Sequence, residues 1–266
     1  MSTPPTALVI RTAGTNCDAE MCRAFELAGA RVELVHVRAL IDDPSPIERA
    51  SLIGIPGGFS HGDDIAAGRV LAVTMRERLW APLSMAVHRG VPVIGVCNGF
   101  QVLVQLGLLP GPAPREAFPS APPRPLLALV SNLSGRFVDR WCRVSADPAS
   151  NCVWTAPLKG LAADDPACTL PVAHGEGRLI AETGTHLERL ADAGQIPLRY
   201  APADNPNGSA LDAAGVCDAT GLVFGLMPHP ERYLTPAHHP SGTATDPTPG
   251  LAMFRAAVEH AIGASV

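Results

Sequence analysis

Along the first hundred residues, short apolar runs alternate with stretches whose apolar positions recur at helical spacing. Ala7-Leu8-Val9-Ile10 predicts a buried strand, Gly14-Thr15-Asn16 a turn, and Asp18 to Ala28 a helix closed by Gly29. Arg31 to Val37 alternates polar and apolar residues and predicts a second strand. A loop around Pro44 and Pro46 then leads to Leu52-Ile53-Gly54-Ile55, a third strand halted by Pro56-Gly57-Gly58. Gly68 to Arg89 predicts one long helix, and Val91 to Val96 a further strand. Strands that alternate with helices in this way predict an α/β fold, an open and mostly parallel sheet flanked by helices. The carboxyl edge of such a sheet is where ligands bind, and three of the strand ends carry loops rich in Gly, Asn and Cys.

The pattern loosens after residue 110. Pro110 to Pro125 is dense in proline and predicts no regular structure. Strand-like pieces follow at Leu126 to Val130 and Phe137 to Val144, and His174-Gly175-Glu176-Gly177-Arg178 forms a loop after another apolar stretch. A last strand, Leu222 to Met227, runs into Pro228-His229-Pro230-Glu231-Arg232, and a helix from about Leu251 to Ile262 closes the chain. Residues 1–266 are expected to form a single domain, with residues 1–6 as a tail and 234–250 as a loop insertion before the C-terminal helix.

Charge and composition narrow the function classes. Twenty basic against twenty-five acidic residues give a formal charge of −5, with no basic stripe to suit a phosphate backbone, which argues against nucleic acid as a partner. Lys159 is the only lysine, a bias in composition with no mechanistic content. The polar N-terminal tail lacks the features of a signal peptide, and no apolar run is long enough to span a bilayer, so a soluble, cytoplasmic protein with no membrane partner is expected. Seven cysteines, an odd number without a Cys-x-x-Cys pair or zinc-ligand spacing, predict reduced thiols and no metal site.

The candidate chemistry centres on Gly95-Val96-Cys97-Asn98-Gly99-Phe100-Gln101, directly after the apolar Val91-Pro92-Val93-Ile94. A strand that turns sharply into a helix lifts the residue at its apex out of the sheet. The amides and dipole of the following helix favour thiolate over thiol there. An isolated cysteine in a βα unit is more often a small buried side chain. The glycines on both sides and the strand before them shift the balance toward a nucleophile. A thiolate needs a base that later acts as an acid, and His229, held between Pro228 and Pro230, is the candidate, with Glu231 placed to accept the other imidazole N–H. Gly58, in the Pro56-Gly57-Gly58-Phe59 turn, and the amide of Asn98 are candidate oxyanion donors, each worth about 3 kcal/mol to a transition state.

Gly-Val-Cys-Asn-Gly-Phe-Gln resembles the nucleophile signature of class I, triad-type glutamine amidotransferases, and Pro-His-Pro-Glu resembles their His-Pro-Glu element. Further segments, Gly14-Thr15-Asn16-Cys17-Asp18, Pro56 to Asp63, Asn132 to Phe137, Ala173 to Arg178 and Gly225 to Arg232, look like the glutaminase subunits of phosphoribosylformylglycinamidine synthases, in order from about Ala7 to Arg232. The resemblance implies a flavodoxin-like sheet and the triad Cys97, His229 and Glu231. It also implies an oxyanion hole at Gly58 and Asn98, and a glutamine site lined by Gly57, Phe59, Gln101 and Phe137. Glutamine would be hydrolysed through a cysteine thioester, and ammonia passed to a large ATP-binding synthetase subunit, with or without a small bridging subunit. No cofactor is expected in this chain, ATP and Mg belonging to the partner; no Gly-x-x-x-x-Gly-Lys-Ser/Thr loop is present.

His61 stands where many such sequences carry tyrosine, in a loop that also holds Asp64, and His238-His239 lie in the 234–250 insertion, where a solvated loop or subunit contact is expected. His174 and Glu176 are read as part of a family-specific loop near the synthetase interface or ammonia exit rather than as a second dyad. Three other readings compete: an amidotransferase for GMP, CTP or anthranilate synthesis, a non-catalytic sensor of the cysteine-elbow superfamily, and a γ-glutamyl hydrolase. The Phe59-Ser60-x-Gly62-Asp63 and His174 to Arg178 loops count against the first, and His229-Pro230-Glu231 with Gln101 against the second. Weak glutamine turnover by the chain alone is expected, because the Gly57-Gly58 peptide can reorient easily.

Overall fold

A computed structural model describes residues 3–114, 116–161, 165, 168–241 and 246–264. In chain order the elements are β1 (Thr6–Arg11), α1 (Asp18–Leu27), β2 (Arg31–His36), α2 (Val37–Asp42), α3 (Ser45–Arg49), β3 (Leu52–Ile55), α4 (Arg69–Arg78), α5 (Trp80–His88), β4 (Val93–Val96) and α6 (Asn98–Leu106). The second half adds β5 (Leu127–Val130), β6 (Val138–Ala146), β7 (Thr169–His174), β8 (Arg178–Ala181), α7 (Gly184–Asp192), β9 (Leu198–Tyr200), β10 (Ala213–Cys217), β11 (Val223–Leu226) and α8 (Pro249–Gly263).

Nine strands form one sheet in the order β2-β1-β3-β4-β11-β10-β9-β6-β7. Strands β2, β1, β3, β4 and β11 run parallel, and β10, β9, β6 and β7 extend the sheet with antiparallel pairings. The central strands β3, β4 and β11 are buried at every position, which is why they read as continuous apolar runs rather than alternating ones. Gly54 and Ile94 are register partners, as are Ile55 and Gly95, so Gly54 and Gly95 look to opposite faces of the sheet. A Cβ on Gly54 would meet Met21 and Phe25 of α1, and one on Gly95 would meet Gly99 and Leu103 of α6. Helices α1 and α6 therefore cover opposite faces. Phe25 packs edge to face on Phe254 of α8, with ring centroids 5.0 Å apart, which seats the C-terminal helix beside α1.

Two differences from the sequence reading have local causes. The segment Gly68 to Arg89 is two helices, broken at Leu79, whose backbone (φ −126°, ψ 6°) leaves the helical region while its side chain stays buried. The loop around Pro44 and Pro46 contains α3, because Ser45-Pro46 supplies a first turn in which proline needs no amide partner. Leu127–Val130 does not join the main sheet; it pairs with β8 in a separate antiparallel ribbon. Pro110 to Pro125 carries no helix or strand among its described residues. Of the 234–250 insertion, residues 242–245 lie outside the described residues, as do residues 1 and 2 of the tail.

Candidate active site

The parallel strands deliver three loops to one edge. Val96 of β4 ends the central strand, and Cys97, at φ 51° and ψ −107°, turns the chain into α6. A non-glycine residue held in that region costs on the order of 1–3 kcal/mol, tolerated where the surroundings fix it. They do so here through close packing: a Cβ on Gly99 would lie 1.9 Å from the Ile55 carbonyl oxygen, so only glycine lets α6 rest on β3. Cys97 N–H donates to Leu226 O at 2.8 Å, and Gln101 N–H to Cys97 O at 3.1 Å, which tie the apex to β11 and to the first helical turn.

Strand β11 ends next to it. His229 N–H donates to Pro171 O at 2.8 Å, anchoring the Pro-His-Pro turn on β7. His229 Nδ1 is 2.6 Å from Glu231 Oε1, and both residues are only 1% exposed. His229 Nε2 and Glu231 Oε2 are buried without any hydrogen-bond partner among the described residues. Burial disfavours the imidazolium, but the negative charge of Glu231, reinforced by Cys97, outweighs it and raises the His229 pKa well above its ordinary value. An imidazole whose pKa is raised and which is aimed by a buried carboxylate suits protonation of a leaving group.

The third loop follows β3. Gly58 has φ 133°, and a Cβ there would lie 2.6 Å from Asn16 N, so the Gly14–Asn16 turn presses the Gly58 peptide into place. Asn98, the first residue of α6, joins this loop to the elbow. Its Oδ1 accepts from Ser60 N–H at 3.2 Å, and its Nδ2 donates to Asp63 Oδ1 and to Gln101 Oε1, each at 3.0 Å. Gln101 Nε2 in turn donates to the Glu176 carbonyl oxygen at 2.6 Å. Both ends of the Gln101 amide are therefore engaged, and its role in this geometry is to tie the His174–Arg178 loop to the elbow. Burial raises the Asp63 pKa, against the hydrogen bonds from Gly68 N–H and Asn98 Nδ2 that lower it.

Cys97, Gly58, Asn16, Cys17, Gln101, His174, Glu176, His229 and Arg232 share the wall of one cavity of about 420 Å³. Phe59 and Phe137 stand at its rim, 48% and 55% exposed. Gly57 lies beneath: a Cβ there would be 2.9 Å from His229 Cε1 and 3.4 Å from Cys97 Cβ. All the sequence-chosen residues are thus brought to one place, Gly57 as floor and Phe59 and Phe137 as rim.

His174 is buried, and its Nδ1 faces Asn132 Oδ1 at 3.1 Å. Asn132 Nδ2 is committed to the carbonyls of Arg136 and His174, so its Oδ1 is the acceptor and His174 Nδ1 carries the proton. Burial, reinforced by the charge of His229, pushes the His174 pKa down to about 4. A neutral, hydrogen-bonded histidine here braces the loop. His61 Nε2 pairs with Thr12 Oγ1 at 3.1 Å. His239 packs on Trp141 and Tyr233 and meets Thr169 Oγ1 at 3.0 Å, so it belongs to a packed corner rather than a freely solvated loop, while His238 is exposed.

Two site residues carry no role in the sequence reading, Cys17 and Arg232. Arg232 Nη2 donates to Cys17 Sγ at 3.0 Å, and Cys17 Sγ lies 3.3 Å from where a Gly57 Cβ would be. Cys17, His229 and Glu231 offer ligand atoms within 4.8 Å of one another, a spatial grouping that zinc-type sequence spacing cannot reveal. The signal was that Cys17 follows β1, the strand beside β3, so its loop borders the Gly57 turn.

A thiol on a strained strand-to-helix turn, a buried His-Glu pair and a glycine-rich loop facing both, set on a largely parallel sheet, define a triad-type amidotransferase site. Residues 4–261 match the family described as CobB/CobQ-like glutamine amidotransferase domain. The chain is 39% identical to the phosphoribosylformylglycinamidine synthase subunit PurQ of Dehalococcoides mccartyi, over 96% of each chain. It is 42% identical to that of Rubrobacter xylanophilus, over 84% of this chain and 87% of the other. A chain in the structure of PurLQS from Thermotoga maritima superposes with a TM-score of 0.71 at 29% identity, covering 97% of this chain and 99% of that one. The chain belongs to the PurQ family of glutamine amidotransferases.

Proposed function

We propose that the chain hydrolyses glutamine to glutamate and ammonia, and hands the ammonia to a separate ATP-dependent synthetase that makes formylglycinamidine ribonucleotide in purine biosynthesis. The observation that carries the reading is the placement of Cys97 and His229 on one cavity, with Glu231 behind the imidazole at 2.6 Å from His229 Nδ1. Cys97 Sγ attacks the side-chain carboxamide carbon, and the oxyanion forms against the backbone amides of Gly58 and Asn98. His229 gives its proton to the departing ammonia, leaving a γ-glutamyl thioester. Water then attacks the thioester carbonyl; His229 takes its proton, and glutamate leaves as Cys97 is restored.

Phe59 and Phe137, at the cavity mouth, would cover the glutamine, and Gln101 would act through the loop that it fastens. The chain itself needs no cofactor in this reading; ATP and Mg²⁺ act on the synthetase. Seven free cysteines, and described helices none of which is long and apolar enough to cross a membrane, support a cytoplasmic setting. The partner in this reading is the large synthetase subunit, with or without a small bridging subunit.

The test is coupling. Purified chain and synthetase are given glutamine, ATP and formylglycinamide ribonucleotide, and glutamate and amidine are measured together. Equimolar glutamate and amidine, with glutamine turnover rising on addition of the synthetase, support the reading. Glutamine turnover that the synthetase neither accelerates nor converts to amidine would move the chain to another acceptor or to simple hydrolysis.

A further inference from the structure

We propose that Cys17 is a resolving thiol for Cys97: when peroxide oxidises the nucleophile, Cys17 closes a disulfide with it and holds the site in a recoverable, inactive state. The inference rests on Cys97 being the reactive thiol of the proposed site, and its test reads cysteine chemistry rather than glutamine turnover, so either can fail alone.

Both sulfur-bearing residues line the same cavity, so an oxidant that reaches one reaches the other. The position of a Gly57 Cβ would be 3.3 Å from Cys17 Sγ and 3.4 Å from Cys97 Cβ. Glycine leaves that volume free of a Cβ; His229 Cε1, 2.9 Å from the same point, borders it and has to give way for the two sulfurs to meet. Cys17 sits in the turn before α1, outside regular structure, and no side-chain hydrogen bond caps the helix at this position. Arg232 Nη2 at 3.0 Å and Asn16 Oδ1 at 3.3 Å hold its sulfur at the cavity wall. Glutamine hydrolysis as derived above has no step for this second thiol. Burial pushes the thiols of Cys22 and Cys168 up to about 11 and that of Cys142 up to about 12, which suppresses their thiolates.

The steps balance with hydrogen peroxide as oxidant. The Cys97 thiolate takes one peroxide oxygen to become a sulfenic acid, and with the thiol's proton the other oxygen leaves as water. The Cys17 sulfur then attacks the Cys97 sulfur, the S–S bond forms, and the sulfenic hydroxyl departs with the Cys17 proton as a second water. A dithiol reductant returns both thiols.

The full chain is treated with hydrogen peroxide, alkylated without reduction, digested and mapped by mass spectrometry. The expected product is a Cys17–Cys97 crosslinked peptide, lighter by about 2 Da than the sum of the reduced peptides and abolished by dithiothreitol. In Cys17→Ser the crosslink is absent, dimedone labels a sulfenic acid on Cys97, and longer exposure yields sulfinic acid that dithiothreitol does not reverse. Direct conversion of wild-type Cys97 to sulfinic acid without a crosslink would overturn the proposal. So would a crosslink confined to other cysteines, or dimedone labelling of Cys97 equal in wild type and Cys17→Ser.

Discussion

His229 and Glu231 are joined at 2.6 Å through Nδ1, while the opposite imidazole nitrogen is buried without a close hydrogen-bond partner among the described residues, and the ring interacts with the Cys97 and Cys17 thiols. The ring is therefore oriented from behind and left open in front, the arrangement a shuttling acid and base requires. Glu231→Gln keeps the shape and removes the charge. Glutamine turnover should fall by about 10²–10⁴-fold. The limb of the kcat/KM profile assigned to His229 should move to lower pH, because Glu231 is what raises that pKa. An unchanged profile would detach the carboxylate from catalysis.

His174 provides a pH signature of folding. Its pKa in the folded chain is about 4, against about 6.5 in an unfolded one. Between those values the unfolded chain binds the extra proton, so stability contributed by the neutral imidazole is present above pH 6.5 and is lost as pH falls through 4. The full effect is on the order of 3 kcal/mol. Urea unfolding from pH 7 to pH 4 should show a loss in wild type that His174→Gln flattens.

Gly99 is where α6 meets β3. A methyl group there would lie 1.9 Å from the Ile55 carbonyl oxygen, a backbone atom that cannot swing aside. Gly99→Ala should lower stability by roughly 1–3 kcal/mol and displace the elbow, reducing activity beyond the loss of folded protein. Gly184→Ala, in α7 with nothing within 4 Å of the new methyl, is the matched control and should change stability by no more than about 0.5 kcal/mol.

Asn98 binds the Gly58 loop to the nucleophile through Ser60 and Asp63. Asn98→Ala leaves a half-buried carboxylate and the Gln101 amide oxygen short of a donor, a loss of about 1–3 kcal/mol. Its effect on kcat should exceed its effect on stability, because the loop carrying the Gly58 amide is no longer held. Thermal unfolding and glutamine kinetics on the same variant separate the two.

The parallel half of the sheet was legible because burial on both faces makes β1, β3, β4 and β11 uninterrupted apolar runs bounded by turn residues. Of the antiparallel extension, β6 was foreshadowed by Phe137 to Val144, but β9 and β10 were not. β10 is Ala213-Ala214-Gly215-Val216-Cys217 and β9 only Leu198–Tyr200, too short and too poor in strand-forming residues to announce themselves. The break at Leu79 was passed over because apolar spacing continues across it, although Pro82, tolerated in the first turn of α5 but not inside one continuous helix, marks it. Within the site, Cys97, His229 and Glu231 stood out through their flanking glycines and prolines. Cys17 and Arg232 did not, since each matters through a contact between residues 215 positions apart in the chain.

The most direct test of the account replaces one atom and offers two nitrogen sources. Cys97→Ala, assembled with the synthetase, is assayed for amidine formation from glutamine and from free ammonia beside wild type. The variant is expected to lose the glutamine-driven reaction and to keep the ammonia-driven one at the wild-type rate. Glutamine-driven amidine formation persisting in Cys97→Ala would contradict it.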